Sequence, residues 1–393
     1  MDTNVVIVGA GPAGLAVGAC LKQAGVDFTI LEKAGEVAPA WRRHYRRLHL
    51  HTVKSFSSLP FMPFPKSHPR YVPREKVVAY LDAYAERFGL EPRFGVTVKS
   101  IRRAGEKFLV ETDAGEIGAR KIVIATGNNA EPIMPGFPSI EAFKGEVLHS
   151  AAYTEAAPYT AKNVLVVGMG NTGAEIALDL AESGARPTIS VRKGVHIVPR
   201  QLFGVPIQMV GIASRPMPQA LNDWMFPKIL DLALGRLEKY GIVRPKAGIL
   251  KQIDAGRIPV IDVGTVAAIK AGRIGILPDI ARFTEDGARF ADGQEKNFDA
   301  VIFATGYRPG YDGILPAELR PAKSGVNARA SDLGVYLVGF YNPVTGLLRE
   351  IGIEAQAVAK DIAGAARLPR KCDRLRSFTP PSVLPDISPQ GGD

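Results

Sequence analysis

The chain has 393 residues, enough for two or three domains with substantial cores. Its 49 Lys and Arg against 39 Asp and Glu give a net charge of +10, but only Arg42, Arg43, Arg46 and Arg47 cluster, and no nucleic-acid-binding module is visible; this argues against a nucleic-acid partner and suits attraction of small anions. Cys20 and Cys372 form no CxxC pair, which weighs against a dithiol reductase, and Gly or Pro breaks every apolar run short of the roughly twenty residues of a transmembrane helix.

Residues 1–35 read as strand, helix, strand. The apolar run Val5 to Val8 is followed by Gly9-Ala10-Gly11-Pro12-Ala13-Gly14, which opens a helix. In such a fingerprint one glycine makes the tight turn and one lets backbone approach a pyrophosphate. The third (Gly14) lets helix pack on strand. Unpaired N–H groups at the helix start then face the phosphates. The next strand, Phe28 to Leu31, ends in Glu32, whose carboxylate can accept hydrogen bonds from ribose hydroxyls. The first strand begins almost at Met1 with no signal peptide ahead of it, so the expected location is cytoplasmic.

Residues 36–73 are rich in Pro, aromatic and basic residues and are expected to be irregular. Val77 to Phe88 has helical spacing of Val78, Leu81, Tyr84 and Ala85. Short alternating runs from Phe94 to Arg120 predict a small antiparallel meander. Lys121 to Gly127 (KIVIATG) predicts a buried parallel strand ending in a glycine turn.

A second nucleotide unit is expected over about 158–291. Val164 to Val167 leads into Gly168-Met169-Gly170-Asn171-Thr172-Gly173, and the strand Thr188 to Val191 ends in Arg192 and Lys193. A carboxylate there would repel a 2′-phosphate, whereas a guanidinium can bind one with paired, charge-assisted hydrogen bonds. The first site is therefore read as FAD-binding and the second as NADPH-binding. Trp224 to Leu237 predicts an apolar helix. Asp299 to Gly306 (DAVIFATG) repeats the KIVIATG pattern and is read as the chain's return to the first domain. Thr126, Gly127, Thr305 and Gly306 can then lie close to cofactor at the domain junction, although plain buried strands with a turn would give the same pattern. The expected fold is α/β, with two Rossmann-like dinucleotide-binding domains, the second inserted into the first. The FAD domain takes 1–157 and 292–367, the NADPH domain 158–291, and 368–393 form a disordered tail.

Between the fingerprints, Phe143 to Tyr153 (FKGEVLHSAAY) fits FxGxxxHxxxY. The chain thus resembles the class B flavin-dependent monooxygenases, whose fingerprint, identifying motif, second fingerprint and ATGY (Ala304 to Tyr307) come in this order. Baeyer–Villiger members usually carry Trp where this chain has Tyr153. Within the class the chain is most similar to the YUCCA-type enzymes, which make indole-3-acetic acid from indole-3-pyruvate. Trp41 to Pro65, 168–180, 191–200, 239–250 and 258–278 carry that likeness. Tyr341 to Gly352 (YNPVTGLLREIG) matches less well.

The resemblance implies an enzyme that reduces FAD with NADPH, forms a C4a-peroxyflavin with O₂ and oxygenates a small substrate. A deprotonated adduct would attack the keto carbon of an aryl-2-keto acid, and loss of CO₂ would follow. A protonated one would oxygenate amines or sulfides on the same scaffold. A non-catalytic NADP(H)-binding sensor is the remaining alternative. The flavin carries the hard step, so no metal is expected. His51 is the candidate for handling one proton, against a merely hydrogen-bonding histidine. His149 is expected to brace the domain junction. Trp41 covers flavin or adenine, or is a core residue. Asn171 is expected to approach the NADP pyrophosphate or nicotinamide through its amide. Lys54 and the four clustered arginines are candidates for phosphate or carboxylate, with a solvated face as their default.

Overall fold

A computed structural model describes residues 2–364 apart from 215, 255, 342 and 344, and only the backbone of 250, 254 and 328. The expected tail and Cys372 lie outside these residues.

The first unit is built on β1 (Asp2–Val8), α1 (Pro12–Gln23) and β2 (Phe28–Glu32), as the first fingerprint predicts. The segment expected to be irregular contains the short helix α2 (Pro39–Arg43). Helix α3 (Arg74–Arg87) follows. Then come β3 (Arg93–Phe94), β4 (Val98–Ala104), β5 (Lys107–Thr112) and β6 (Gly115–Ile124). The meander and the KIVIATG strand are not separate. Residues 115–119 of β6 pair antiparallel with β5, while the same strand runs parallel to β1 along 118–124.

The second unit comprises β7 (Glu146–His149), β8 (Asn163–Val167), α4 (Asn171–Glu182) and β9 (Arg186–Ser190). An excursion carries α5 (Ile207–Ser214), α6 (Gln219–Leu234) and β10 (Val260–Asp262). Helix α6 starts five residues before the expected Trp224, and Gly235, at φ +70, ends it. Then come β11 (Gly275–Leu277) and β12 (Ala300–Phe303). The chain closes with β13 (Val335–Leu337) and α7 (Leu347–Ala363).

The first sheet has the order β3-β2-β1-β6-β5-β4, with β13 parallel to the end of β6. The second is wholly parallel, in the order β11-β9-β8-β12-β7. Their central strands β1, β6, β8 and β12 are buried on both faces along their apolar runs, which explains why those runs are unbroken. Val5 and Ile7 enter one core layer and Val6 and Val8 the other. In β8, Val164 and Val166 face one layer, Leu165 and Val167 the opposite one.

The two-domain α/β fold stands as expected, but the division at 157/158 and 291/292 does not. Strand β12 pairs with β8 and β7, so DAVIFATG and the middle of the identifying motif belong to the second sheet. The chain re-enters the first sheet only with β13, whose Tyr336 joins α1 and α7 in one core. The physical reason is local. A fingerprint turn needs a parallel neighbour beneath it, so each ATG strand lies beside its own fingerprint strand.

Candidate functional site

The two fingerprints are the same device built twice. Gly9 N donates to Leu31 O at 2.7 Å and Gly168 N to Ser190 O at 3.0 Å. Ala125 N donates to Val8 O and Ala304 N to Val167 O, both at 2.9 Å. Gly9 has φ +108 and Gly168 φ +104, and a Cβ would stand 2.7 Å from Ala125 O or 2.9 Å from Ala304 O. At Gly14 and Gly173 a Cβ would collide with the carbonyl oxygens of Gly9 and Gly168. At Gly11 and Gly170 nothing lies within 4 Å. These two face open space at helix N-termini without side-chain caps, so each can admit a pyrophosphate.

The first cradle has the donors and acceptors that FAD needs. Glu32 is buried, and its two oxygens accept from Ala10 N at 2.8 Å and Ala34 N at 2.9 Å. Each oxygen keeps a further lone pair for ribose. Thr126 Oγ1 is buried without a partner beside Gly9, and Gly127 turns at φ +78. Trp41 lies on α2, whose start is tied to the fingerprint by Ala38 N to Ala10 O at 2.9 Å, and packs against the first core. Cys20 is buried, and burial pushes its thiol up to about 12, so it is inert.

In the second cradle Ser190 occupies the place of Leu31, so Val191 matches Glu32 and Arg192 stands one residue beyond. The position of Glu32 is thus held by Val191, an uncharged side chain. Arg192 is exposed, and no ion pair engages it among the described residues. The Asn171 side chain is committed elsewhere: Oδ1 accepts from Ile261 N at 2.7 Å and Nδ2 donates to Pro259 O at 3.2 Å. The expected amide contact with the nucleotide is therefore replaced by a brace onto β10, and the residue faces the site with its backbone. Thr305 Oγ1 donates to Ile133 O at 2.5 Å, and Gly306 turns at φ +86. Both stand at the second fingerprint rather than in the first domain.

The identifying motif is a set of braces. A Cβ at Gly145 would lie 2.7 Å from Asp299 O. His149 Nδ1 accepts from Ala151 N at 3.1 Å and Nε2 donates to Gly306 O at 3.1 Å. Both ring nitrogens are thus satisfied only in the neutral form, and burial holds the imidazole below its ordinary value. Tyr153 Oη donates to Asp179 Oδ2 at 2.6 Å.

His51 meets the second unit directly. Its Nε2 lies 2.5 Å from Oε1 of the buried Glu175 on α4. The Tyr45 hydroxyl also reaches that carboxylate; burial first, then Glu175, raises it well above its ordinary range. His44 is held neutral by burial, against the attraction of Glu175. Arg47 forks onto Glu182 at 2.8 and 2.9 Å, and Arg46 pairs with Glu155 at 2.8 Å. Residues 44–51 therefore form a strap from the first unit along the nucleotide helix of the second. Arg42 pairs with Asp82 at 2.5 Å and Glu36 at 3.2 Å. Lys54 Nζ donates to the carbonyls of Pro65, Lys66 and His68. Of these candidate anion binders, only Arg43 shows no such engagement among the described residues.

Glu175, Tyr45, Gln208 and Thr345 were not among the residues singled out from the sequence. The spacing of Glu175, Asp179 and Glu182 places three acids on one helix face, a signal that was readable. Gln208 was not: its Oε1 accepts from Val53 N at 3.0 Å and its amide donates to Thr345 O, across long loops.

The profile of the family described as flavin-binding monooxygenase-like matches residues 2–315. The chain is 41% identical over 376 residues to indole-3-pyruvate monooxygenase YUCCA1 of Oryza sativa subsp. japonica, covering 91% of each. The flavin-containing monooxygenase from Stenotrophomonas maltophilia superposes with a TM-score of 0.68 at 25% identity, over 92% of this chain and 98% of that one. Cyclohexanone monooxygenase from Rhodococcus sp. Phi1 bound to NADP⁺ gives 0.72 at 18% identity, over 92% and 84%, a likeness of fold alone. No helix among the described residues is long and apolar enough to cross a membrane.

Two outcomes are expected. Gly173→Ala forces its methyl onto a backbone carbonyl and should cost about 1–3 kcal/mol of stability. Gly170→Ala has room and should leave the melting temperature nearly unchanged, yet weaken nucleotide binding by crowding the pyrophosphate. Thermal melts and NADPH titrations of the two variants check the contrast.

The second outcome concerns acid. The folded state keeps His149 neutral below its ordinary value of 6.5, where the unfolded chain takes up a proton. Its contribution is thus full above 6.5 and is lost as pH falls from there through the lowered folded value. Melting curves from pH 7.5 to 5.5 should show a fall that is shallower in His149→Asn, which does not titrate.

Proposed function

We propose, from the premise that this chain belongs to the flavin-binding monooxygenase-like family and to its YUCCA type, that it converts an aryl-2-keto acid to the acid one carbon shorter. It is an NADPH-dependent flavin monooxygenase with FAD as its cofactor. Indole-3-pyruvate is the substrate we favour, with indole-3-acetate and CO₂ as products and a cytoplasmic location. The observation that carries this is the 41% identity, across 91% of both chains, to a relative named for that substrate. One oxygen atom of O₂ enters the product, the other leaves as water, and NADPH supplies the two electrons.

The flavin, when bound, supplies hydride acceptance and oxygen activation. The protein's residues bind, orient and control a proton. Gly11 and the first turn of α1 hold the FAD pyrophosphate, Glu32 the ribose, and Thr126 and Gly127 border that cradle. Gly170, the first turn of α4 and Arg192 hold NADPH. The contact between His51 Nε2 and the Glu175 carboxylate orients the ring, and His51 is the residue we assign to handling that proton. The strap carries His51 to the nucleotide helix of the second unit.

Arg192→Ala should raise the KM for NADPH on the order of tenfold or more and change NADH use little, because one charged partner of the 2′-phosphate is lost. Native preference for NADH would overturn that role. His51→Ala should keep FAD and its reduction by NADPH, but give less indole-3-acetate per NADPH and more hydrogen peroxide. Unchanged coupling would make His51 structural. A wild-type enzyme that oxygenates amines or sulfides but no 2-keto acid would replace the substrate reading.

A further inference from the structure

Next to the strap, Val53, Lys54 and Arg70 together with Val205, Pro206 and Met209 line an open cavity of about 540 Å³. That is within the usual size of a small-molecule site. Its wall is mostly apolar, and its cations differ in what they can still bind. Lys54 has spent its ammonium on three backbone carbonyls. Arg70 is exposed at the cavity, and among the described residues its guanidinium enters no hydrogen bond or ion pair. Its backbone is fixed, since Arg70 O accepts from Lys54 N at 2.9 Å. Tyr71, its neighbour in the chain, lies under the Arg200 guanidinium at 4.3 Å.

The cavity wall is also tied to the start of α7. Val53 N–H donates to Gln208, and Gln208 to Thr345 O, one residue before Gly346 at the N-terminus of α7. A Cβ at Gly346 would stand 2.8 Å from Gln208 Nε2 and 2.8 Å from Thr52 Cγ2. Thr52 adjoins His51. The cavity wall at Val53 is thus continuous in the chain with the strap that carries His51.

We propose that this cavity is the binding site for an aromatic carboxylate, with the ring against Val53, Val205, Pro206 and Met209 and the carboxylate on Arg70. The assignment deepens the keto-acid reading and rests on it. A guanidinium matches a carboxylate in charge and fork geometry. The substrate's carboxylate charge is lost as CO₂ leaves, so Arg70 binds the starting acid at least as well as the transition state. Its effect therefore falls on KM and not on kcat.

The test uses the FAD-loaded enzyme with indole-3-pyruvate as substrate, indole-3-acetate as an unreactive carboxylate, and the methyl ester of indole-3-acetate as its uncharged counterpart. Arg70→Ala should raise the KM for indole-3-pyruvate and the inhibition constant of indole-3-acetate on the order of tenfold, with kcat not lowered and NADPH binding unchanged. Ester binding, read by calorimetry, should be the same in wild type and variant. Arg70→Lys should recover part of the loss, and Met209→Trp, which fills the cavity, should weaken acid and ester together. Wild-type values in Arg70→Ala, or an equal loss for acid and ester, overturn the site while leaving keto-acid turnover standing. If the wild type turns over no 2-keto acid, that reading fails, and calorimetry of indole-3-acetate on wild type and Arg70→Ala still decides the site.

Discussion

Two nucleotide units can exchange electrons only if they are held in a fixed relation, and the strap of residues 44–51 along α4 holds them. Its contacts are not equal. Arg46–Glu155 and Arg47–Glu182 lie near the surface, where such pairs contribute about 0–1 kcal/mol. Glu175 is 3% exposed, and Asp179 is mostly covered. A buried carboxylate stripped of its partner costs several times more. The relative placement of the units therefore depends most on His51 meeting Glu175 and on Tyr45 packing into the second core. His51 thus has a part in this geometry shared with Tyr45, Arg46 and Arg47, and the proton role proposed for it is additional.

A second constraint is repeated. A carbonyl oxygen of the neighbouring ATG strand closes under the first glycine of each fingerprint, and the first glycine's own carbonyl closes against the third. The helix start is thereby pinned, and only the middle glycine opens onto free space. Side-chain caps are absent where they would compete with phosphate for the same N–H groups. The bond patterns match atom for atom between the units, while the residues just past the second strand differ, carboxylate in one and guanidinium in the other.

That repetition explains what was legible in the sequence. Local patterns with a mechanical reason were readable: both fingerprints, the helix after Arg74 and the buried strands. Order along the chain was a poorer guide to space. DAVIFATG reads as a return to the first domain because it copies KIVIATG, yet a copied unit carries its own ATG strand. Asn171 reads as a ligand from its place in the fingerprint, but β10, ninety residues later, takes its amide. Likewise β6 reads as two strands because its partners change from antiparallel to parallel along its length. Gln208 lies in the first turn of the short helix α5, and its partners Val53 and Thr345 are far away in the chain, so nothing local marks it.

The segment Tyr341 to Gly352, where the likeness to plant relatives is weaker, can be weighed the same way. Thr345 Oγ1 donates to Glu350 Oε1 at 2.5 Å, and Arg349 donates to the same oxygen at 2.6 Å. Glu350 also sits in the first turn of α7, where a carboxylate is favoured by the unpaired N–H groups. Gly346, at φ +98, makes the turn that brings these groups together and leaves room for Thr52 and Gln208. These side chains are engaged in holding the end of a helix. The cavity wall at Val53, Arg70 and Met209 comes instead from the two segments on either side of the strap. A departure in the α7 turn therefore alters how a wall is supported before it alters what the wall touches.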